Sequence, residues 1–219
     1  PTRRSSDLTL TVYSPVSISA TAANYVAGMG NAAPTASGTA SPLGGLSSSL
    51  TCDFYAASDT LFASALTINN STAAGSYVVH CTASIVTGYQ LVANNDATLT
   101  VNVAAIVTFN ANFVGGAAAT TQTDFGVQSL TANGFTRAGY TFGGWATTAL
   151  GSSSLADQAS YNFATNVDLY ATWIADVYLV TYSANTATGS PARASDGFTV
   201  GTTSPLILPA STGMTKSVS

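Results

Sequence analysis

Charge is what this chain has least of. Only 6% of its 219 residues are charged, where an average soluble domain carries about 25%. Glu is absent, Lys occurs once, at Lys216, and nine Asp stand against five basic residues. A nucleic-acid binder needs clustered Lys and Arg to displace counterions, and this composition offers no such cluster. Polybasic docking to a membrane fails for the same reason. Helices laced with ion pairs have too few charges to build, and Lys–Asn isopeptide cross-links are disfavoured with one Lys and no Glu. Long apolar runs are missing as well. The longest, such as Val103–Val107, are about five residues, far below the roughly 20 that span a bilayer. No transmembrane segment is expected.

Ser, Thr, Asn, Gly and Ala take the place of the charges. The chain is 46% hydrophobic with a mean hydropathy of +0.30, which is not the composition of a disordered chain. Its length suffices for one or two domains with a real core. These features point to β-rich, extracellular modules poor in conventional catalytic residues.

Self-similarity organises the chain. Asp96-Ala-Thr-Leu-Thr-Val101 echoes Asp7-Leu-Thr-Leu-Thr-Val12, and Val180-Thr-Tyr-Ser-Ala-Asn185 echoes Val107-Thr-Phe-Asn-Ala-Asn112. Gly213-Met-Thr-Lys216 echoes Gly134-Phe-Thr-Arg137 at a slightly larger spacing, as a loop insertion between two copies of one unit would give. Pro1–Leu8 resembles the conceptual translation of a sequencing adapter and shows no signal-peptide pattern. The expected organisation has four parts. Residues 1–13 are adapter-like residues plus the last strand of a lost domain, 14–103 one β domain, 104–175 a second module, and 176–219 a truncated copy of that module. On this reading the chain is a fragment of a longer protein, and its final stretch should be poorly ordered because it cannot complete a core.

Local signals are mostly strand. Val107, Phe109 and Ala111 alternate with Thr108 and Asn110, and Leu169, Ala171 and Trp173 alternate with Tyr170 and Thr172, the period of two of a half-buried strand. Tyr77–Cys81 and Thr98–Asn102 are β-branched runs bounded by turn formers. Asp59–Leu66 is the one stretch with room for a turn or two of helix.

Val107-Thr-Phe-Asn-Ala-Asn112, Gly115-Gly116, Thr121-Gln122, Phe135-Thr-Arg-Ala-Gly-Tyr-Thr-Phe-Gly-Gly-Trp-Ala-Thr147, Ala156-Asp157, Ala159-Ser-Tyr161 and Val167-Asp-Leu-Tyr-Ala-Thr-Trp173 follow one another in an order that resembles the internalin-type B repeat, or Listeria–Bacteroides repeat. Phe113-Val114 interrupts the usual Asn-Gly-Gly turn, and Gln158 stands where Gly is usual. The resemblance implies a small β-grasp-like module used in tandem on secreted and cell-envelope bacterial proteins. Residues 14–103 are similar to MBG-type and other immunoglobulin-like surface repeats. That similarity rests on Tyr25, Gly28-Met-Gly-Asn-Ala-Ala-Pro-Thr35, Ala74-Gly-Ser-Tyr77, Gly88-Tyr89 and Ala97-Thr-Leu-Thr-Val101. Neither family brings an active site.

Export, implied by the resemblance, makes a Cys52–Cys81 disulfide the default for the two cysteines. It would close a loop of 29 residues, worth about 3.5 kcal/mol on the chain-entropy model. The competing reading is a thiol nucleophile served by His80; His80 and Cys81 are adjacent on a strand and face opposite ways, so only Cys52 could meet that ring. Gly28-Met-Gly-Asn-Ala-Ala33 fits the dinucleotide fingerprint formally, but Pro34 follows where a helix must start. Trp145, Trp173, Tyr140, Tyr161 and Tyr170 could form a carbohydrate-stacking platform or pack a small core; Trp145 and Trp173, at apolar positions of the resemblance, read as core. Tyr170, opposite Trp173, is the candidate surface aromatic. Leu208-Pro-Ala-Ser-Thr-Gly213 nearly spells a sortase signal but aligns with a loop of the preceding repeat. Asp residues are scattered singly, so no metal or cofactor is expected.

The reading that follows is a non-enzymatic segment of a bacterial secreted or cell-surface repeat protein, serving as stalk or adhesive array. Its partners are a surface protein or glycan and the neighbouring repeats of the chain. The alternatives are a glycan-binding accessory module, or an appendage of an extracellular enzyme whose catalytic domain lies elsewhere.

Overall fold

A computed structural model describes residues 11–183 and 195–203. Among these the protein is built of strands, with one short 3-10 turn at Leu43–Gly45 and no α-helix. The described residues fall into two compact units. One runs to Ala105 and includes Thr123–Gly126 and Asn162–Thr165; the other takes Ile106–Gln122, Val127–Tyr161 and the residues from Asn166 onward.

The first unit holds two sheets. Strands β1 (Ser14–Thr21), β2 (Tyr25–Ala27), β3 (Ser37–Ser41), β4 (Thr51–Ala56), β5 (Gly75–Thr82), β6 (Tyr89–Asn95) and β7 (Ala97–Val103) divide into one sheet ordered β3-β1-β6 and another ordered β2-β7-β5-β4. Alternation places the core. In β7, Leu99 and Val101 are buried, while Thr98, Thr100 and Asn102 turn to the other side. Val79 and Cys81 do the same in β5, as do Val16 and Ile18 in β1. Tyr25, Ala27, Phe54 and Ile68 complete the cluster around Val79, Leu99 and Val101. Contacts of β1 with β5 and β7 join the two sheets. Burying such β-branched and aromatic side chains contributes about 1.5–3 kcal/mol each, the main stabilising term for a chain in which only 6% of residues are charged.

The second unit is centred on a four-stranded sheet ordered β11-β13-β8-β9, from β8 (Ala105–Asn110), β9 (Thr120–Asp124), β11 (Tyr140–Ala146) and β13 (Val167–Ala175). The pair β8–β13 is parallel, with Leu169 opposite Phe109, and β11–β13 is antiparallel. Strands β10 (Gly126–Ser129) and β12 (Ser160–Phe163) form a separate ladder. Val107, Phe109, Ala111, Leu169 and Ala171 are all at most 5% exposed. Trp145 packs against Phe109, Phe135 and Phe142 with ring centroids 4.8, 6.1 and 5.0 Å away. Trp173 is only half-buried; its indole Nε1–H donates to the Ala111 carbonyl at 2.8 Å, so it is an edge of this core rather than its centre.

Backbone demands explain the glycine pair before Trp145. Gly144 has φ 111°, and a Cβ there would collide with the Ser153 side chain and come 2.6 Å from the Leu155 carbonyl oxygen. Only glycine meets both conditions. The register shift between Phe142 and Gly144 then lets both Trp145 and Ala146 be buried.

Two departures from the resemblance also acquire a geometry. Asn112 takes φ 60° and donates from Nδ2 to the carbonyls of Ala149 and Ala171, both at 2.9 Å. The turn is made two residues later, by Gly115 at φ 81° with the Gly116 N–H donating to the Phe113 carbonyl. Gln158 itself adopts φ 55°, the left-handed conformation in which glycine escapes a cost of roughly 1–2 kcal/mol.

Two expectations change, those for Asp59–Leu66 and for the tail, and a third falls almost wholly outside the described residues. Asp59–Leu66 is turn, not helix: Asp59 accepts the N–H groups of Ala63 and Ser64 in the manner of a cap, but Phe62 at φ 52° breaks the helical path. The strand expected over Asp7–Val12 lies outside the described residues except for Thr11 and Val12, which are in no strand. In the tail, β14 (Val177–Thr181) and β15 (Ser195–Thr199) pair as an antiparallel ladder. A ladder needs only its backbone bonds, and Val177, Tyr178 and Leu179 stay 57–66% exposed on it.

Candidate interaction surfaces

The first unit carries a cluster on the outer face of β4 and β5. Strand alternation sends Cys81 inward and His80 outward. His80 Nδ1 lies 2.6 Å from Asp96 Oδ1. Asp53 is the cross-strand partner of His80. The Phe62 ring stacks on the imidazole at 3.8 Å and 9°, and Tyr55 meets both rings edge-on. Phe62 reaches this position through the left-handed kink that ends the 59–62 turn. Burial raises the Tyr55 phenol above its ordinary pKa, with the Asp53 and Asp59 charges adding to the effect. The Ser64 and Ala63 N–H groups hold the Asp59 carboxyl below its usual range. No motif or spacing in the sequence marks this cluster. Its sequence signal was slight, since the packing depends on where the 57–65 loop folds.

A His–Asp pair suits acid–base work, but the thiol next to it is unavailable. Cys52 and Cys81 sit directly opposite each other on β4 and β5 and are joined as a disulfide, with Cα atoms 4.0 Å apart. That bond faces the interior. A Cβ on Gly38 of β3 would lie 2.6 Å from Cys81 Sγ and 3.1 Å from Cys52 Sγ. The thiol-nucleophile reading therefore has no free thiol, and His80 points to the opposite side of the sheet.

Gly28-Met-Gly-Asn-Ala-Ala33 is a loop after β2, with Gly28 and Gly30 at φ 88° and 71° and strand β3, not a helix, following it. The Gly28 N–H and the Tyr25 hydroxyl both donate to Asn70 Oδ1, so its polar groups serve the fold. Among the described residues no group of three or more His, Cys or Asp gathers as a metal would need. No described helix is long and apolar enough to cross a membrane. Leu208–Gly213 lies outside the described residues.

In the second unit, Tyr170 is half-buried on the outer face of β13, flanked by Asp168 and Thr172 and with Asn110 opposite on β8. Behind that face lie Leu169 and Ala171, the buried half of the alternation. The order of motifs is now visible as structure: β8 opens the unit, the Gly139–Trp145 segment crosses beside β13, and β13 closes it. Residues 106–172 match the family model of the Listeria-Bacteroides repeat domain. This segment is a Listeria-Bacteroides repeat. No curated protein matches the chain. The repeat begins in β8 and ends at Thr172 of β13, so its limits enclose the parallel pair that forms its core. Repeats of this family are typical of bacterial surface proteins.

Proposed function

We propose that the chain is a non-enzymatic segment of a bacterial surface or secreted repeat protein, acting as a stalk or adhesive array. The observation that carries this reading is the Listeria-Bacteroides repeat at 106–172. The disulfide of the first unit is in keeping with an oxidising, extracellular setting. In this reading the two-sheet first unit is an MBG-type, immunoglobulin-like module, the repeat is β-grasp-like, and residues 176–219 start a second repeat. Modules stacked in series give reach at a nearly constant stability per unit. A surface of Ser, Thr and Asn with few charges weakens long-range attraction and leaves recognition to aromatics and backbone edges. The test is proteolysis of intact cells of the bacterium that carries the gene. Proteinase K is the reagent, because five basic residues give trypsin few sites. Antibody signal against the folded repeat should disappear while a cytosolic marker survives. Signal that appears only after lysis overturns the reading.

A second reading is glycan binding through the repeat, favoured by Tyr170 standing beside Asp168 and Thr172 on the outward face of the sheet. An aromatic with polar neighbours on a flat face offers stacking to a sugar ring. Tyr170→Ala should then remove binding on a glycan array without changing the melting transition of the repeat. Array binding that survives the substitution counts against it.

A further inference from the structure

The polar and close-packed contacts where the repeat meets the strands that follow it are concentrated on one short motif. Asp176 is the single residue between β13 and β14. Its backbone N–H donates to the Gly139 carbonyl at 2.9 Å, and its own carbonyl accepts the Val200 N–H at 3.0 Å. Its carboxylate accepts the Thr141 hydroxyl at 2.8 Å. One residue thus ties the turn before β11 to the end of β15. Two glycines permit the approach. A Cβ on Gly139, which has φ 76°, would lie 2.9 Å from Val200 Cγ1. A Cβ on Gly201, at φ 82°, would lie 2.7 Å from the Tyr140 hydroxyl. Tyr140 is itself held in place, because the Arg137 guanidinium sits 3.7 Å over its ring and 5.2 Å over that of Phe113.

We propose that the Gly139–Thr141 turn is a docking surface for the repeat that follows in the chain, and that Asp176 is the positioning residue that fixes the angle between the two. The partner is the hairpin β14–β15, whose exit at Val200–Gly201 sits on this turn. Calling that hairpin the opening of a second repeat rests on the function proposed above. Two backbone bonds, one side-chain bond and a close-packed valine resist rotation about the one-residue linker better than chain stiffness alone, since rotation would break each of these hydrogen bonds. The Arg-Ala-Gly-Tyr segment at 137–140 accordingly does two jobs. It closes its own module at β11, and it presents the glycine and the tyrosine on which the next module rests. A stalk assembled this way transmits orientation from unit to unit instead of swivelling at each junction.

The experiment is solution NMR on the full chain, comparing residual dipolar couplings of residues 106–175 with those of 177–203, together with amide exchange. One alignment tensor should fit both segments, and the Asp176 and Val200 amides should be protected. Val200→Asp places a charge against Gly139, and Asp176→Ala removes the carboxylate while keeping the backbone bonds. Both should split the tensors, and exchange at position 200 should quicken by about tenfold in Val200→Asp, the scale of losing one packed hydrogen bond. Amides of β8 and β13 should keep their protection throughout. Separate tensors in the unaltered chain overturn the proposal, as do variants that leave the single tensor and the exchange unchanged. Loss of protection in β8 and β13 also overturns it, because the hairpin would then belong to the folding unit of the repeat and not to a docked neighbour. None of these outcomes bears on where the protein resides, so the cell-surface reading stands or falls separately.

Discussion

Replacing both cysteines, as Cys52→Ala with Cys81→Ala, is expected to cost the first unit about 3–4 kcal/mol and to lower its Tm by roughly 15–25 °C. The disulfide closes a 29-residue separation, and the entropy that this removes from the unfolded chain supplies most of the effect. Packing adds to it: Cys81 is fully buried and Gly38 leaves no side chain of its own over the bond, so losing two sulfurs opens a void that β3 fills only in part. A domain of roughly 90 residues has about 5–13 kcal/mol to lose. The variant should therefore fold at room temperature and melt early. Both cysteines lie in the first unit, so calorimetry should show one transition moving and the other staying. A first transition unmoved by the substitution, or two transitions that fall together, would contradict this account.

Much of the fold was legible because strand alternation is a local property. Val107, Phe109, Leu169 and Ala171 could be assigned to one buried face from a period of two alone, and they are buried. Trp145 escapes that logic. It adjoins Ala146, which is also buried, and no strict alternation permits both; the Gly143-Gly144 bulge does. Trp173 had the right parity for the core, yet it sits where β13 runs past the edge of the module and keeps one side open. The Asp59 turn shows a conflict at close range. Its carboxylate caps as it would for a helix, but the chain turns left-handed at Phe62, and what stabilises that conformation is the His80 ring on another strand.

The candidate surfaces were less legible for the same physical reason. Tyr170 could be placed outward by parity, since parity decides which face a strand residue takes. The His80 cluster could not, because Asp96, Phe62 and Tyr55 come from three separate segments. Nor could the joint at Asp176: Gly139 was visible as part of a motif, but its carbonyl finds Asp176 and its open α-carbon finds Val200 only when the chain doubles back. Residues that serve a neighbour in sequence declare themselves by spacing, whereas those that serve a distant segment do so only in the folded chain.

Trp145→Ala should unfold the repeat. Truncating a buried Trp costs about 3–5 kcal/mol, and a module of roughly 70 residues has only about 3.5–10 kcal/mol in total. Trp145 is 1% exposed and is the ring that Phe109, Phe135 and Phe142 all touch, so its loss disconnects three aromatics at once. Trp145→Phe should behave very differently. The indole Nε1 is buried without a hydrogen-bond partner, a burden of about 1–3 kcal/mol that phenylalanine removes while keeping a ring in place. Its lost area is offset in part, and the net change should stay within about 1 kcal/mol. Trp173→Phe provides the comparison. There the indole N–H is bonded to the Ala111 carbonyl, so removal takes away a satisfied bond at a half-open site and should cost about 1 kcal/mol. Denaturant titration followed by amide chemical-shift dispersion ranks the three variants. A Trp145→Ala protein that keeps native dispersion would mean the aromatic cluster is not the core of the repeat. A Trp145→Phe protein as unstable as Trp145→Ala would mean that the indole N–H is bonded after all.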